Sequence, residues 1–386
     1  MPGVKILFLT KYNVVRYGVA EALAGLAAAL RPLGVEVLVY SSDSSASIGR
    51  LSDGTPCARG LLPKPGGFRG RRSIRHIVEL CRQRRIELVH CHGLYRPGYA
   101  ARAVKRAVGM PYVVTSHGDI VDTSARMRRR SVRRRCATIL RDADAVTFLT
   151  EAMVQYGNDL CDVRAKSAVI PNGIDLHWWR QPTVVAASAN YILAIGRLDQ
   201  QKGFDVLLNA MKLLAGRCVD LRLVIAGQGQ AEPALRRQVR QLGLTTCSRL
   251  GELAQAGAGT VCLPGYITGQ AKRDLFAGSA LVVFPSLGDE GFGLVLIEAM
   301  AAGKAIVASN IPAARGLIAD GRNGQLVVPG DVAQWADTIQ RLVHDDRLRS
   351  SFEQANLAEA ERYDWATLAR RYLDVYQRVR SPVIDS

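Results

Sequence analysis

The richest chemistry in the chain lies in Pro285-Ser-Leu-Gly-Asp-Glu290-Gly-Phe-Gly-Leu-Val-Leu-Ile-Glu298-Ala-Met. Glu290 precedes a predicted helix, and Glu298 falls about two turns along it, so both carboxylates can face one side. Between them, Gly291, Phe292, Gly293 and Leu294 open the helix. Glycines there leave backbone N–H groups bare for anionic oxygens. A carboxylate beside them can accept hydrogen bonds from sugar or ribose hydroxyls. Two solvated helix acids would not require glycines on both sides of Phe292. A second constellation is Gly196-Arg-Leu-Asp-Gln-Gln-Lys202-Gly203, which follows a predicted strand and precedes a helix. Arg197 offers a bidentate fork and Lys202 a point charge, a combination suited to a diphosphate.

Two further positions follow strands. His117, in Ser116-His-Gly-Asp119, can donate a hydrogen bond to phosphate or sugar, or take a proton near neutral pH. Gly18 ends the loop after the first strand and opens a helix, where its amide could meet a phosphate. Other polar clusters weigh less. Ala226-Gly-Gln-Gly229 begins like a dinucleotide-binding turn but lacks the third glycine, which counts against a nicotinamide or flavin enzyme. Asp142-Ala-Asp144 sits in a turn before a strand, where polarity at a helix end accounts for it. In a strand, His90 and His92 share one face while Cys91 points away. No second ligand cluster accompanies them, so no metal is expected.

These residues need elements to hold them. Runs at 4–10, 35–41, 87–91, 112–116, 145–149 and 167–171 read as strands, with helices between, for example at 19–33 and 99–108. The pattern then restarts, with strands at 191–195, 221–226, 281–285, 305–308 and 325–328. Helices are expected at 204–214, 232–242, 293–302 and 332–343. Strand–helix alternation implies parallel sheets covered on both faces. The expectation is an α/β protein of two doubly wound, Rossmann-like domains, 1–183 and 184–364, facing across a cleft. A last helix at 365–379 would pack back on the first domain. Ligands of such sheets bind outside the carboxyl ends of the strands, where the residues above lie.

Composition sets the outer bounds. The 386 residues are 48% hydrophobic and 22% charged, which excludes disordered, collagen-like and small disulfide-stapled classes. Apolar runs such as 4–10 and 22–30 fall short of the ~20 residues that cross a bilayer. The opening run has strand length and leads into Lys11, so no export signal is expected. Eight cysteines stand singly with no CxxC pair, so reduced thiols in a cytoplasmic protein are expected.

The net charge of +17 is concentrated in one place. Residues 59–141 hold 21 Lys and Arg against four acids, an excess equal to that of the whole chain. The densest part contains Arg126, Arg128, Arg129, Arg130, Arg133, Arg134 and Arg135 with no acid among them. A solvated helix face accounts for such a run; so does an anionic membrane surface, where each cation contributes roughly 1 kcal/mol. Interleaved Phe68, Ile74, Met127 and Val132 could enter the interface. Nucleic acid fits less well and is not expected as a partner, because no base-stacking aromatics interleave with the arginines.

Taken in order, these motifs resemble the family-4 retaining glycosyltransferases of two-domain GT-B fold. The resemblance rests on Gly18, Ser116-His-Gly118, Pro171-Asn-Gly-Ile-Asp175, Gly196-Arg-Leu198 with Lys202-Gly203, Ala226-Gly-Gln-Gly229, Gly265-Tyr-Ile267, Glu290 with Glu298, and Asn323-Gly324. It covers essentially the whole chain and implies roles. Arg197, Lys202 and the Gly18 amide would bind a donor diphosphate. Glu298 would hold ribose hydroxyls, and the nucleotide base would lie near Ile267. Glu290 and the amides of Gly291, Phe292, Gly293 and Leu294 would hold the donor sugar and phosphates, and His117 would sit by the reacting centre. The donor would be a UDP- or GDP-sugar, with no cofactor or metal. The acceptor would be a glycolipid, lipopolysaccharide or polysaccharide intermediate at the inner face of the cytoplasmic membrane. A nucleotide-sugar epimerase on the same fold, or an arginine-rich nucleic-acid-binding protein, are the competing readings.

Overall fold

The computed structural model describes residues 3–11, 18–42, 53–63, 68–120, 127–183, 190–217, 219–288 and 290–380, without the side chains of Phe68 and Arg69. The chain divides into two units, Met1–Asp175 with Arg362–Ser386, and Leu176–Glu361. The division falls at Asp175, ahead of the expected 183. Arg273 supplies the physical reason: its guanidinium donates to the carbonyls of Trp178 and Pro182 and lies over the Trp178 ring. That buried cation fastens 178–182 to the second unit.

The first unit holds β1 (Val4–Thr10), β2 (Val35–Ser41), β3 (Cys57–Arg59), β4 (Leu88–His92), β5 (Tyr112–Ser116), β6 (Ala145–Phe148) and β7 (Ser167–Val169). They form one parallel sheet in the order β3-β2-β1-β4-β5-β6-β7. The second unit holds β8 (Tyr191–Ile195), β9 (Arg222–Ala226), β10 (Thr246–Cys247), β11 (Val261–Gly265), β12 (Leu281–Phe284), β13 (Ala305–Ser309) and β14 (Gln325–Val327). Its order is β10-β11-β9-β8-β12-β13-β14, again parallel. Both are doubly wound α/β sheets, as expected. Central strands such as β5, β12 and β13 are buried throughout, which is why they read as largely apolar runs; β4 is equally buried but carries His90 and His92.

Each order reverses direction once. In the first sheet the reversal lies between β1 and β4, where Thr10 pairs with His92. In the second it lies between β8 and β12, where Leu193 pairs with Val282. Such switch points leave a crevice beyond the strand ends.

The helix Trp365–Arg380 lies in the first unit, where Leu368, Tyr372, Val375 and Tyr376 share a core with Ile6, Phe8 and Leu88. Trp365 closes this packing. A Cβ on Gly25 would fall 2.1 Å from its ring, and one on Gly173 2.5 Å, so both glycines exist to admit the indole. Trp365→Ala is expected to destabilise the first unit by about 3–5 kcal/mol, seen as a lower thermal midpoint. An unchanged midpoint would show that the C-terminal helix is not held through this residue.

Candidate active site

Three loops after β8, β9 and β12 are laced together by backbone. Gly196 donates to Ala226 at 3.0 Å, Leu198 donates to the Gln228 carbonyl at 3.0 Å, and Leu287 donates to the Gln201 carbonyl at 2.7 Å. A Cβ on Gly227 would sit 1.8 Å from the Gly196 oxygen, and one on Gly229 2.1 Å from that of Leu198. The two glycines of Ala226-Gly-Gln-Gly229 therefore serve close loop packing. Gly203 adopts φ +64° and approaches the Pro285 carbonyl, where a Cβ would fall 2.2 Å away. The lacing fixes the two sides of the β8–β12 crevice against each other.

Lys202 and Glu290, 88 positions apart in sequence, form an ion pair across that crevice. Ser286 donates its hydroxyl to the same Glu290 oxygen at 2.7 Å, and the Lys202 ammonium lies 5.6 Å from the centre of the Phe284 ring. Both side chains keep about a fifth of their surface, 20% and 18%. Arg197 behaves differently: it is 61% exposed and pairs with its neighbour Asp199 at 2.5 Å.

Glu298 is the fifth residue of the helix Leu294–Ala301, so it lies little more than one turn in, not two. Its side chain is 6% exposed and accepts from Lys272 at 2.6 Å. The two glutamates thus engage different cations. Gly293 caps the helix at φ +93°, and the amides of Gly291, Gly293 and Leu294 have no acceptor among the described residues. Phe292 is buried at 4% exposure and is a packing residue through its ring. Ile267 is half-buried two residues past the end of β11. Lys272 and Ser286 escaped the sequence reading. Lys272 lies in the helix that follows β11, and recognising that strand would have drawn attention to it.

In the first unit, Gly18 is the first residue of the helix Gly18–Leu30. The loop residues 12–17 lie outside the described residues. His117 follows β5, and its Nε2 stands 2.9 Å from His92 Nδ1, with the rings stacked. Burial pulls the His117 imidazole down to about 4, so it is neutral near pH 7. Next to it, Asp119 accepts from the Leu94 amide and, at 2.8 Å, from the Ser116 hydroxyl. Burial nevertheless holds its carboxyl above the usual range.

The polar clusters set aside earlier have partners. Asp142 bonds Arg102 at 2.6 Å, and Asp144 bonds Lys105 at 2.6 Å and the Tyr112 amide at 2.9 Å. His90 is held by Tyr376 at 2.8 Å and Thr115 at 2.6 Å. In the basic segment, Arg126 lies outside the described residues. Arg128, Arg129, Arg130, Arg133, Arg134 and Arg135 are exposed, the last four in the helix Arg130–Asp142. Met127, expected at an interface, is instead a buried core residue. The apolar side chains beside the arginines are therefore fewer than the sequence suggested.

Residues 17–178 match the family model described as Glycosyltransferase Family 4, and residues 189–345 match that described as Glycosyl transferases group 1. The chain belongs to this family and is a glycosyltransferase. The phosphatidyl-myo-inositol mannosyltransferase of Mycobacterium leprae is 30% identical over 300 residues, 76% of this chain and 74% of that protein. The D-inositol 3-phosphate glycosyltransferase of an Arthrobacter species is 26% identical, with 96% and 92% covered. Among solved structures, Anabaena HepE in complex with UDP and glucose superposes with a TM-score of 0.79 at 20% identity, covering 97% of this chain and 99% of that one. A glycosyltransferase from Rickettsia africae gives 0.80 at 18% identity over the full length of both. The fold is that of the GT-B glycosyltransferases.

Proposed function

We propose that this glycosyltransferase takes its sugar from a nucleotide diphosphate sugar, retains the anomeric configuration, and needs no divalent metal. The observation that carries the reading is the Lys202–Glu290 pair at the β8–β12 switch point. It supports the reading by bringing a lysine suited to phosphate oxygens and a carboxylate suited to sugar hydroxyls to one crevice, beside the bare amides of Gly291, Gly293 and Leu294. Arg197 and Lys202 supply the positive charge that a leaving diphosphate needs. Glu298 takes ribose hydroxyls, and the base lies along Ile267. Gly18 and His117, in the first unit, are the further positions assigned to ligand oxygens. HepE, which shares the fold, was crystallised with UDP and with UDP-glucose, which supports a nucleotide sugar as donor. A panel of UDP-, GDP- and ADP-sugars tests this by thermal shift. One base is expected to stabilise the protein by about 2.7 kcal/mol at a hundred times its Kd, and the shift should survive EDTA. No shift with any base, or one abolished by EDTA, would overturn the donor or the metal-free assignment respectively.

The proposed acceptor is a lipid-linked or polysaccharide intermediate at an anionic membrane, which places the protein on the cytoplasmic face as a peripheral enzyme. Among the described residues no helix is long and apolar enough to cross a membrane. Six exposed arginines without ion pairs among the described residues offer the surface, and mycobacterial relatives are named for a phosphatidylinositol acceptor. Replacing Arg128, Arg130, Arg133 and Arg135 by serine should remove about 4 kcal/mol of attraction, roughly a thousandfold in affinity for anionic vesicles. Equal sedimentation of both proteins with such vesicles would remove the membrane assignment.

A further inference from the structure

We propose that His92 is a positioning residue that fixes the tautomer of His117, so that His117 meets its ligand as a neutral hydrogen-bond donor through Nδ1–H. The inference rests on the reading of His117 as a ligand contact and adds the direction of its hydrogen bond.

The argument is a count of protons. His92 Nδ1 and His117 Nε2 stand 2.9 Å apart, so one of them carries the proton between them. Both rings are buried, and burial holds both imidazoles in their neutral forms, with one proton each. The other two nitrogens, His92 Nε2 and His117 Nδ1, are buried with no hydrogen-bond partner among the described residues. The pair therefore has two arrangements. If His117 donates inward from Nε2, His92 must carry its own proton on Nε2. If His92 donates outward from Nδ1, the remaining proton rides on His117 Nδ1.

The surroundings of the two ends decide between them. His92 is 1% exposed. Its ring packs on Phe8 at 4.7 Å and on His90 at 4.1 Å between centroids. His90 has no acceptor to spare, because Tyr376 and Thr115 engage its two nitrogens. A proton on His92 Nε2 would be an orphaned N–H in a dry core, which native structures avoid more strictly than an unfilled acceptor. His117 as a residue is only half-buried and stands in a loop beyond β5, so although its Nδ1 is covered in this structure, a small shift of that loop lets an incoming oxygen complete its bond. The proton belongs at that outer end. The bond made by one ring nitrogen thus sets the state of the other. His117 held this way donates and cannot act as a base.

Nuclear magnetic resonance of the full chain labelled with 15N-histidine tests the assignment. The chain has six histidines, and His117→Gln identifies the resonance. In the unmodified protein His117 should show a protonated Nδ1 and a bare Nε2, the reverse of the tautomer an imidazole prefers in water. His92→Leu should shift His117 toward Nε2–H and lower kcat/KM at least about tenfold. His92→Asn, whose amide N–H can reach the position of Nδ1, should restore both. A bare Nδ1 in the unmodified protein, which needs no variant to measure, would overturn the tautomer assignment. A tautomer that His92→Leu leaves unchanged would overturn the role of His92. Full activity in His117→Gln would overturn only the underlying ligand contact.

Discussion

Lys202→Ala should lower kcat/KM by about 10²–10³-fold, the loss of about 3–4 kcal/mol seen when one preorganised donor to a developing negative charge is removed. The size follows from where the ammonium sits. With 20% of its side chain exposed, Lys202 lies in a crevice that a donor would close off from water, and its charge there is weakly screened. Arg197 has the same charge but is 61% exposed and already pairs with Asp199, so Arg197→Ala should cost less. Lys202→Arg should not rescue, because a planar fork cannot replace a point charge in the pocket formed by Phe284, Ser286 and Glu290. The measurement is steady-state kinetics with the donor found in the thermal-shift panel, with donor affinity by calorimetry alongside. Equal kcat/KM in Lys202→Ala and the parent protein would refute the diphosphate assignment.

The same variant separates two roles of the ion pair. Glu290 keeps 18% of its side chain in solvent and receives the Ser286 hydroxyl, so losing Lys202 leaves a carboxylate that water can still reach. A part-exposed pair contributes about 1 kcal/mol or less to stability. Lys202→Ala should therefore fold with nearly its original midpoint while losing activity. Glu290→Gln should also fold, and its loss should fall on sugar selectivity as well as on rate. A large drop in midpoint for either variant would mean that the pair is structural.

How much of this was legible in the sequence depended on strand chemistry. The residues of β1, β2, β5 and β8 were read to their observed ends because each is a largely apolar run of β-branched, aromatic and aliphatic residues bounded by polar or turn residues. β3, β10 and β11 were not. β10 has two residues, and β11 contains Pro264, which usually argues against a strand. Arg197, Lys202, Glu290 and Glu298 were singled out from residue type and position after strands. The pairing of Lys202 with Glu290 could not be, because it depends on β12 lying beside β8 and not beyond β11. The link between His92 and His117 was hidden for the same reason: His90 and His92 were visible only as a strand pair sharing one face. The adjacency of β4 and β5, with His92 opposite Thr115, brings His117 to it.

Lys272→Met should be the most destabilising single change in the second unit's site, at about 3–5 kcal/mol. Glu298 and Lys272 are 6% and 12% exposed, far drier than Lys202 and Glu290. Removing the ammonium leaves a carboxylate in the core side of the helix Leu294–Ala301, among Leu296, Ile297 and Met300, all fully buried. The penalty is then the desolvation of a buried carboxylate that has lost its lysine, not the worth of one contact. The double variant Lys272→Met with Glu298→Gln tests this directly. It removes both charges at similar volume, so it should recover most of the lost stability while still failing to use the donor, since the carboxylate proposed to hold the ribose hydroxyls is gone. Thermal midpoints and donor affinity of the two single variants and the double complete the cycle. A double variant no more stable than Lys272→Met would show that the lysine acts through its packing, with its charge irrelevant. Recovery of donor binding along with stability would show that Glu298 does not touch the donor.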